Sequence, residues 1–542
     1  MERDGVERLL GAAGVDSRRL RHALTLLCDG RWWSLADLVR ETATSRRTVE
    51  ELLRELRTER EGDRFRLPPA HWPDFQDLLA LAPPPEDPVQ HLVAHYEPAL
   101  ERLRELVAKA PRPRHALDHV PATPETVLRR ALLLGARFWL PGARLLCVGD
   151  HDLTSVAVKL VHPETDVTVV DVDDRILAYI DEQRLGIHTR WADLRLGLPA
   201  SARDHDLAVT DPPYTPEGVG LFVARALEGL TENGRVLLAY GASERTPALA
   251  LKVQNALSAL NVAFEAIYPD FNRYFGAEAI GSAADLYILR PTTKTAPAVR
   301  SRLSQLTTAI YTHGPQSVES GPAPAPGHAE PRPTPASMAE SATRLSSAGE
   351  ADLLVGEWPA TLPQPRVKLA TWLGKPYAAS VERVAIAVPP GLEAALPRLL
   401  LATRAPHVEV HLAGPYDIPS ALDPVYSFTE SGAMLTATRR PRPEAPQAQI
   451  LRRILDSGHA KLANTWREAL IAVAATHDVT LTKNEARALI REAAPWAGDL
   501  TPLDAPLHRL TTLPSAIGTT LRSLPADGDS GVSNPHGGNS GP

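Results

Sequence analysis

Cysteine is almost absent: Cys28 and Cys147 are the whole complement of 542 residues. Two thiols so far apart exclude a disulfide framework and offer no metal-type spacing, so no metal is expected. Cys147, inside the apolar run Ala143–Val148, reads as a buried strand residue. Long apolar runs are also missing. No stretch of roughly 18 uncharged apolar residues occurs, and the opening MERDGVERLL is charged rather than signal-like. Both features predict a cytoplasmic protein without membrane contact. Basic charge is short as well, with 58 Lys+Arg against 65 Asp+Glu and a formal net charge of −7. That balance argues against a protein built to coat nucleic acid and suits a small cationic partner.

What is present is enough apolar material, 44% of the chain, for sizeable cores. The length predicts about three domains. Residues 18–68 read as a winged-helix module: helices over Leu20–Cys28, Ser34–Glu41 and Ser45–Arg57, then a charged turn and a short strand at Arg64–Leu67. The third-helix start, Ser45-Arg46-Arg47-Thr48, has the chemistry to face DNA, although Glu50, Glu51 and Glu55 dilute its field. Such modules also serve in dimerisation or substrate gating, so a homodimer and a nucleic-acid partner both stay open. Helical periodicity at His91–Lys109 and Thr123–Phe138 leads into alternating strands and helices through Leu289. Residues 90–290 therefore predict a Rossmann-like, class I methyltransferase-type α/β domain with a seven-stranded sheet. From 291 to 350 the chain is rich in Pro, Ser and Ala and reads as a disordered linker. Residues 351–525 form a further α/β or mostly helical region, with strand-like Val384–Val388 and Val408–Leu412 and helical patterns at Gln447–Ala475 and Lys483–Ala493. Residues 526–542 read as a disordered tail.

Chemistry concentrates in the α/β domain. Gly149-Asp150-His151-Asp152-Leu153-Thr154-Ser155 sits at the first strand-to-helix turn, where adenosine cofactors dock, but carries carboxylates where small residues are usual. Asp171 ends the strand Val167–Val170, the place of an acid that holds ribose hydroxyls, and Asp193 is placed to meet the adenine amino group. Asp150 and Asp152 would repel the methionine carboxylate of S-adenosylmethionine and attract the lone ammonium of its decarboxylated form. A charge contact at about 4 Å is worth roughly 1 to 4 kcal/mol in partly solvated surroundings. The alternative for both is a cap on the following helix. The Asp211-Pro212-Pro213-Tyr214 motif ends another strand; its carboxylate and proline carbonyls accept hydrogen bonds from an attacking nitrogen while the aromatic ring closes over it. His151 is either a general base or a solvent-facing loop residue.

Taken in order, GDHDLTS, VVDVDDR, TDPPYTPEG, Asp270-Phe271-Asn272-Arg273-Tyr274 and Gly281-Ser282-Ala283-Ala284-Asp285-Leu286-Tyr287 resemble the branched-chain polyamine synthases, the N4-bis(aminopropyl)spermidine synthase family, over about residues 20–290. The resemblance implies an aminopropyltransferase that uses decarboxylated S-adenosylmethionine and a secondary amine of spermidine. It carries Asp150 and Asp152 into an acidic loop, leaves His151 where a third aspartate is expected, and assigns Asp152 to the attacking amine. The candidate catalytic residues are then Asp152, Asp211 and Tyr214. Gly149, Asp150, Asp171, Asp173 and Asp193 are the candidate cofactor contacts, and Asp150, Pro212, Pro213, Glu217 and Asp270 the candidate substrate contacts. An S-adenosylmethionine-dependent N-methyltransferase, on nucleic acid among other acceptors, and a nucleotide-sensing winged-helix regulator are the alternatives.

Overall fold

The computed structural model describes residues 2–14, 17–79, 87–243, 245–305, 309–313 and 349–524. Two compact units partition the chain: Met1–Pro333 with Pro390–Ala394, and Thr334–Pro389 with Ala395–Pro542. The expected tail, 526–542, lies outside the described residues, as does most of the expected linker. No described helix is long and apolar enough to cross a membrane.

The first unit opens with helices Glu2–Ala13, Ser17–Leu27, Leu35–Thr42 and Arg46–Glu55. Strands β1 (Trp33–Ser34), β2 (Glu59–Glu61) and β3 (Arg64–Arg66) form an antiparallel sheet in the order β1-β3-β2. Ser34 caps the third helix by accepting the Asp37 N–H at 3.1 Å. The fourth helix does not present its arginines to solvent alone. Arg46 pairs with Glu50 and with Glu278 at 3.0 and 2.6 Å, Arg47 pairs with Glu51 at 3.3 Å, and Glu51 also pairs with Arg245 at 2.5 Å. Its start is thus bound to the α/β domain.

That domain carries the expected sheet. Strands β4 (Arg144–Val148), β5 (Asp166–Asp171), β6 (His188–Trp191), β7 (His205–Thr210), β8 (Leu230–Tyr240), β9 (Val262–Arg273) and β10 (Ala283–Pro291) lie in the order β6-β5-β4-β7-β8-β10-β9. The first five run parallel and β10 is antiparallel to both neighbours. Parallel strands are covered on both faces, which is why Leu145, Leu146, Val148, Val169 and Val170 are fully buried and read as continuous apolar runs. Part of the segment expected to be a disordered linker, 291–350, is structured. Helix Thr295–Ser304 packs on the domain through buried Thr295 and Val299, and Ile310 and Tyr311 are buried in its core.

The second unit holds a six-stranded sheet: β11 (Leu353–Val355), β12 (Arg366–Val367), β13 (Arg383–Val388), β14 (His407–Leu412), β15 (Tyr426–Ser431) and β16 (Met434–Arg439), ordered β12-β11-β13-β14-β16-β15. The periodicity over 447–475 resolves into two helices, Pro446–Leu455 and Leu462–Ala475. Gly458 sits in the turn between them, where a Cβ would lie 2.1 Å from the Leu401 carbonyl oxygen. Helix Lys483–Ala493 starts with a capping box between Thr482 and Glu485.

One glycine ties the N-terminal helices to the α/β domain. Gly281 has φ of +76°, and a Cβ there would stand 2.6 Å from the backbone carbonyl of Ala43. Gly281→Ala should therefore lower stability by about 2 kcal/mol, combining left-handed strain with displacement of backbone that side-chain motion cannot relieve. Calorimetric unfolding checks this; an unchanged midpoint would mean the two segments separate freely.

Candidate active site

The site is assembled at the carboxyl ends of the parallel strands, where open α/β sheets bind ligands. A cavity of about 420 Å³ lies there. Gly149, His151 and Asp152 come from the loop after β4, Asp171 from the end of β5, Asp193 from the turn after β6, and Asp211-Pro212-Pro213-Tyr214 from the end of β7. The roof was not expected. Residues 115–120, the turn at 277–280 and the segment 310–313 all contribute to the lining. The last is anchored by Thr215, whose hydroxyl caps helix Pro216–Glu228 at the Gly218 N–H, 2.9 Å away, and donates to the Ile310 carbonyl at 2.7 Å. Asp118 accepts the Thr312 N–H and hydroxyl at 2.6 and 2.7 Å, which fixes the end of that segment over the cavity.

At the centre is a residue that sequence patterning passed over. Arg130, on helix Pro124–Arg137, is 2% exposed. Its guanidinium donates to Asp152 at 2.8 Å, Asp211 at 2.6 Å, Asn272 at 2.8 Å and Tyr274 at 3.2 Å. Asp152 also accepts the Ala122 N–H at 3.0 Å. Asp211 further accepts the hydroxyls of Tyr274 at 2.7 Å and Tyr214 at 3.0 Å. Burial pushes the Asp211 carboxyl up to about 7, with Arg130 pulling the other way. An arginine on an amphipathic helix normally reads as solvated, so only its position on the apolar face, between Val127 and Ala131, could have marked it.

Asp171 is buried and accepts the N–H groups of Asp150 and Asp173 at 2.9 and 2.8 Å; desolvation raises it to about 6. Asp193 is held by Arg195 through contacts at 2.8 and 2.5 Å, and Arg195 stands over the Tyr311 ring.

Several expected contacts fall elsewhere. Asp150 does not line the cavity. Its carboxylate turns back to accept the Ser155 N–H at 3.2 and 3.3 Å and the Ser155 hydroxyl, capping helix Thr154–Val161. Burial raises it to about 8, so it carries little negative charge at neutral pH. Since Arg130 also compensates Asp152, the paired charge expected of this loop is not presented to a ligand. Asp173 caps helix Asp174–Glu182 and pairs with Arg175 at 2.6 Å, and it does not line the cavity. Glu217 lies in the first turn of helix Pro216–Glu228, and Asp270 pairs with Arg19 at 2.9 Å; neither lines the cavity. His151 is neither solvent-facing nor a strong base. It stacks on His119 with ring centroids 4.3 Å apart, and burial lowers the two imidazoles to about 4 and about 3, so both are neutral at physiological pH.

This sheet order, with cavity-lining loops at the strand ends, defines a Rossmann-like fold of the class I methyltransferase type. Residues 98–308 match the family described as the branched-chain polyamine synthase A C-terminal domain. Similar proteins include an uncharacterized protein of Methanocaldococcus jannaschii, 37% identical over 164 residues, covering 29% of this chain and 41% of that protein. The N(4)-bis(aminopropyl)spermidine synthase of the same organism is 34% identical over 189 residues, covering 33% of this chain and 54% of that enzyme. The chain thus spans about half the length of the curated relatives it matches. The crystal structure of the Thermus thermophilus branched-chain polyamine synthase, in complex with N4-aminopropylspermidine and 5′-methylthioadenosine, superposes with a TM-score of 0.38 at 22% identity, covering 53% of this chain and 92% of that one. Among the described residues no group of three or more His, Cys, Asp or Glu could hold a metal ion.

The position of Asp150 makes a separable prediction. Asp150→Ala should cost about 1 to 2 kcal/mol of unfolding free energy through loss of the cap. Asp150→Asn, which can still accept from Ser155, should lose much less stability. Calorimetric unfolding reads both; an asparagine variant as destabilised as the alanine one would show that the cap is not what the alanine loses.

Proposed function

We propose that the protein transfers an aminopropyl group from decarboxylated S-adenosylmethionine to an amine of spermidine or a related polyamine. One observation carries this reading: the cavity wall has five aspartates, Asp118, Asp152, Asp171, Asp193 and Asp211, and no lysine or arginine among its described residues. A methionine carboxylate needs donors, and the loop that usually supplies them has spent two, the Ser155 N–H on Asp150 and the Asp150 N–H on Asp171. A chain ending in an ammonium finds acceptors instead. The family match and the relative named N(4)-bis(aminopropyl)spermidine synthase support the same chemistry.

Asp171 takes the ribose hydroxyls, Asp193 and Leu194 the adenine side, and Gly149 lets the nucleoside approach the loop after β4. The acceptor lies toward Asp152, Asp211, Pro212, Pro213 and Tyr214. The amine lone pair attacks the propyl carbon bonded to the sulfonium sulfur. The carbon–sulfur electron pair returns to sulfur, and 5′-methylthioadenosine leaves. An ammonium must shed a proton before it can attack, and Asp211, poised near neutrality, is the group that receives it. Asp152, oriented by the Ala122 N–H and Arg130, stabilises the charge that develops on nitrogen. The pairing of Arg46 with Glu278 and of Glu51 with Arg245 argues against a nucleic-acid acceptor.

The deciding experiment is mass spectrometry of reactions containing spermidine with either decarboxylated or intact S-adenosylmethionine. An aminopropylated product from the decarboxylated donor is expected; a methylated product from the intact donor would replace this reading with methyl transfer. Asp171→Ala should weaken 5′-methylthioadenosine binding by about 1 to 3 kcal/mol, as a buried acceptor is lost. In the parent enzyme kcat should rise as Asp211 ionises near pH 7. Asp211→Asn should remove that limb and lower kcat about 10²- to 10⁴-fold; retention of both would exclude Asp211 as the proton acceptor.

A further inference from the structure

Arg130 touches both carboxylates assigned to the acceptor amine, yet it does not line the cavity. It enters from behind, on a helix whose neighbouring residues Val127 and Ala131 are fully buried, and it is held by groups from three other places in the chain. Asn272 accepts from its Nε at 2.8 Å. That amide is fixed in turn, donating to the carbonyls of Ala284 and Asp285 at 3.2 Å each. The guanidinium is therefore aimed before any ligand arrives. Its two terminal nitrogens then go to different acids, Nη1 to Asp152 and Nη2 to Asp211. A fork of this shape fixes the separation and orientation of two acceptors, which an ammonium on a flexible stem cannot do.

We propose that Arg130 is a positioning residue for the transfer reaction: it sets the spacing of the Asp152 and Asp211 carboxylates and keeps Asp211 ionised so that it can take a proton from the attacking amine. The proposal rests on the aminopropyl-transfer reading and adds to it the group that tunes its base. The charged and titratable groups that face Asp211 are Arg130, Asp152, Tyr214, Tyr274 and His151. Burial and the Asp152 charge disfavour its ionised form, and Arg130 is the cation that opposes them. His151 is neutral at physiological pH and supplies no second cation. With Arg130 removed, two carboxylates would face each other in a desolvated site, and one would take up a proton. A protonated Asp211 cannot accept another, so the working range of the enzyme would move to higher pH.

The test uses the full chain with ¹³C-labelled aspartate, and the Asp211 carboxyl signal is identified by its loss in Asp211→Asn. In the parent it should titrate near pH 7. In Arg130→Gln the midpoint should rise by at least about one pH unit, and in Arg130→Lys it should rise less. In the transfer assay the acid limb of kcat should move with the midpoint, while the KM for the nucleoside donor stays within about twofold. An unchanged midpoint in Arg130→Gln, or a fall in kcat that Arg130→Lys shares fully and that brings no pH shift, would overturn the proposal and leave Arg130 a packing residue. If Arg130→Gln shows no cooperative melt, Arg130→Lys carries both readouts with the same criteria. Should the parent give no product with either donor, the transfer reading fails while the titration still decides whether Arg130 controls Asp211.

Discussion

A guanidinium buried between two carboxylates is the constraint on which the site depends. The loop after β4, the end of β7 and the end of β9 meet at Arg130 of helix Pro124–Arg137, and each supplies a group that it bonds. Removing a charge from water is expensive, and removing one partner of such a pair commonly costs about 3 to 5 kcal/mol because the other is stranded. The arrangement is tolerable here because the donors find acceptors on all sides. The same bonds define where the acids point, so the packing of the domain and the geometry of its chemistry are one problem.

The loop after β4 works differently from the charge argument that its sequence invites. Asp150 is not a free negative group but the cap of helix Thr154–Val161, and it consumes the backbone donor that an incoming carboxylate would need. Asp171 consumes the next one. In the proposed transfer reaction, selection against a carboxylated donor would rest on occupied N–H groups as much as on repulsion. Because Asp150 would act by occupying the Ser155 N–H and not from the cavity wall, such selection would be less sensitive to salt than a bare pair of charges.

Legibility followed burial. The strands of the seven-stranded sheet stood out because parallel strands are apolar throughout, and of the acids at their ends Asp152, Asp171, Asp193 and Asp211 line the cavity. Asp173, Glu217 and Asp270 do not line the cavity, and for a common reason: an acid beside a motif also serves as a helix cap or an ion-pair partner, and one sequence cannot tell these apart. Arg130 was invisible because its partners come from residues up to 144 positions away. Residues 309–313 were lost to composition. Proline and serine on either side masked Ile310 and Tyr311, whose burial depends on Thr215 and on the stacking of Arg195 over Tyr311, none of it local.

The N-terminal helices bear on the same site through one thin wall. Ala277, Ala279 and Ile280 face the cavity, while the adjoining Glu278 and Gly281 meet Arg46 and the Ala43 carbonyl on the other side. A turn held this way cannot shift without disturbing either the ion pair or the close backbone approach. Tyr274, whose hydroxyl bonds both Asp211 and Tyr214, lies just before it in the chain, and its backbone pairs with Ala122, whose N–H holds Asp152. The fourth N-terminal helix is therefore linked to Asp152 and Asp211 through a short chain of bonded groups. Its acidic residues, which weaken it as a nucleic-acid reader, include the Glu51 that fastens it to Arg245.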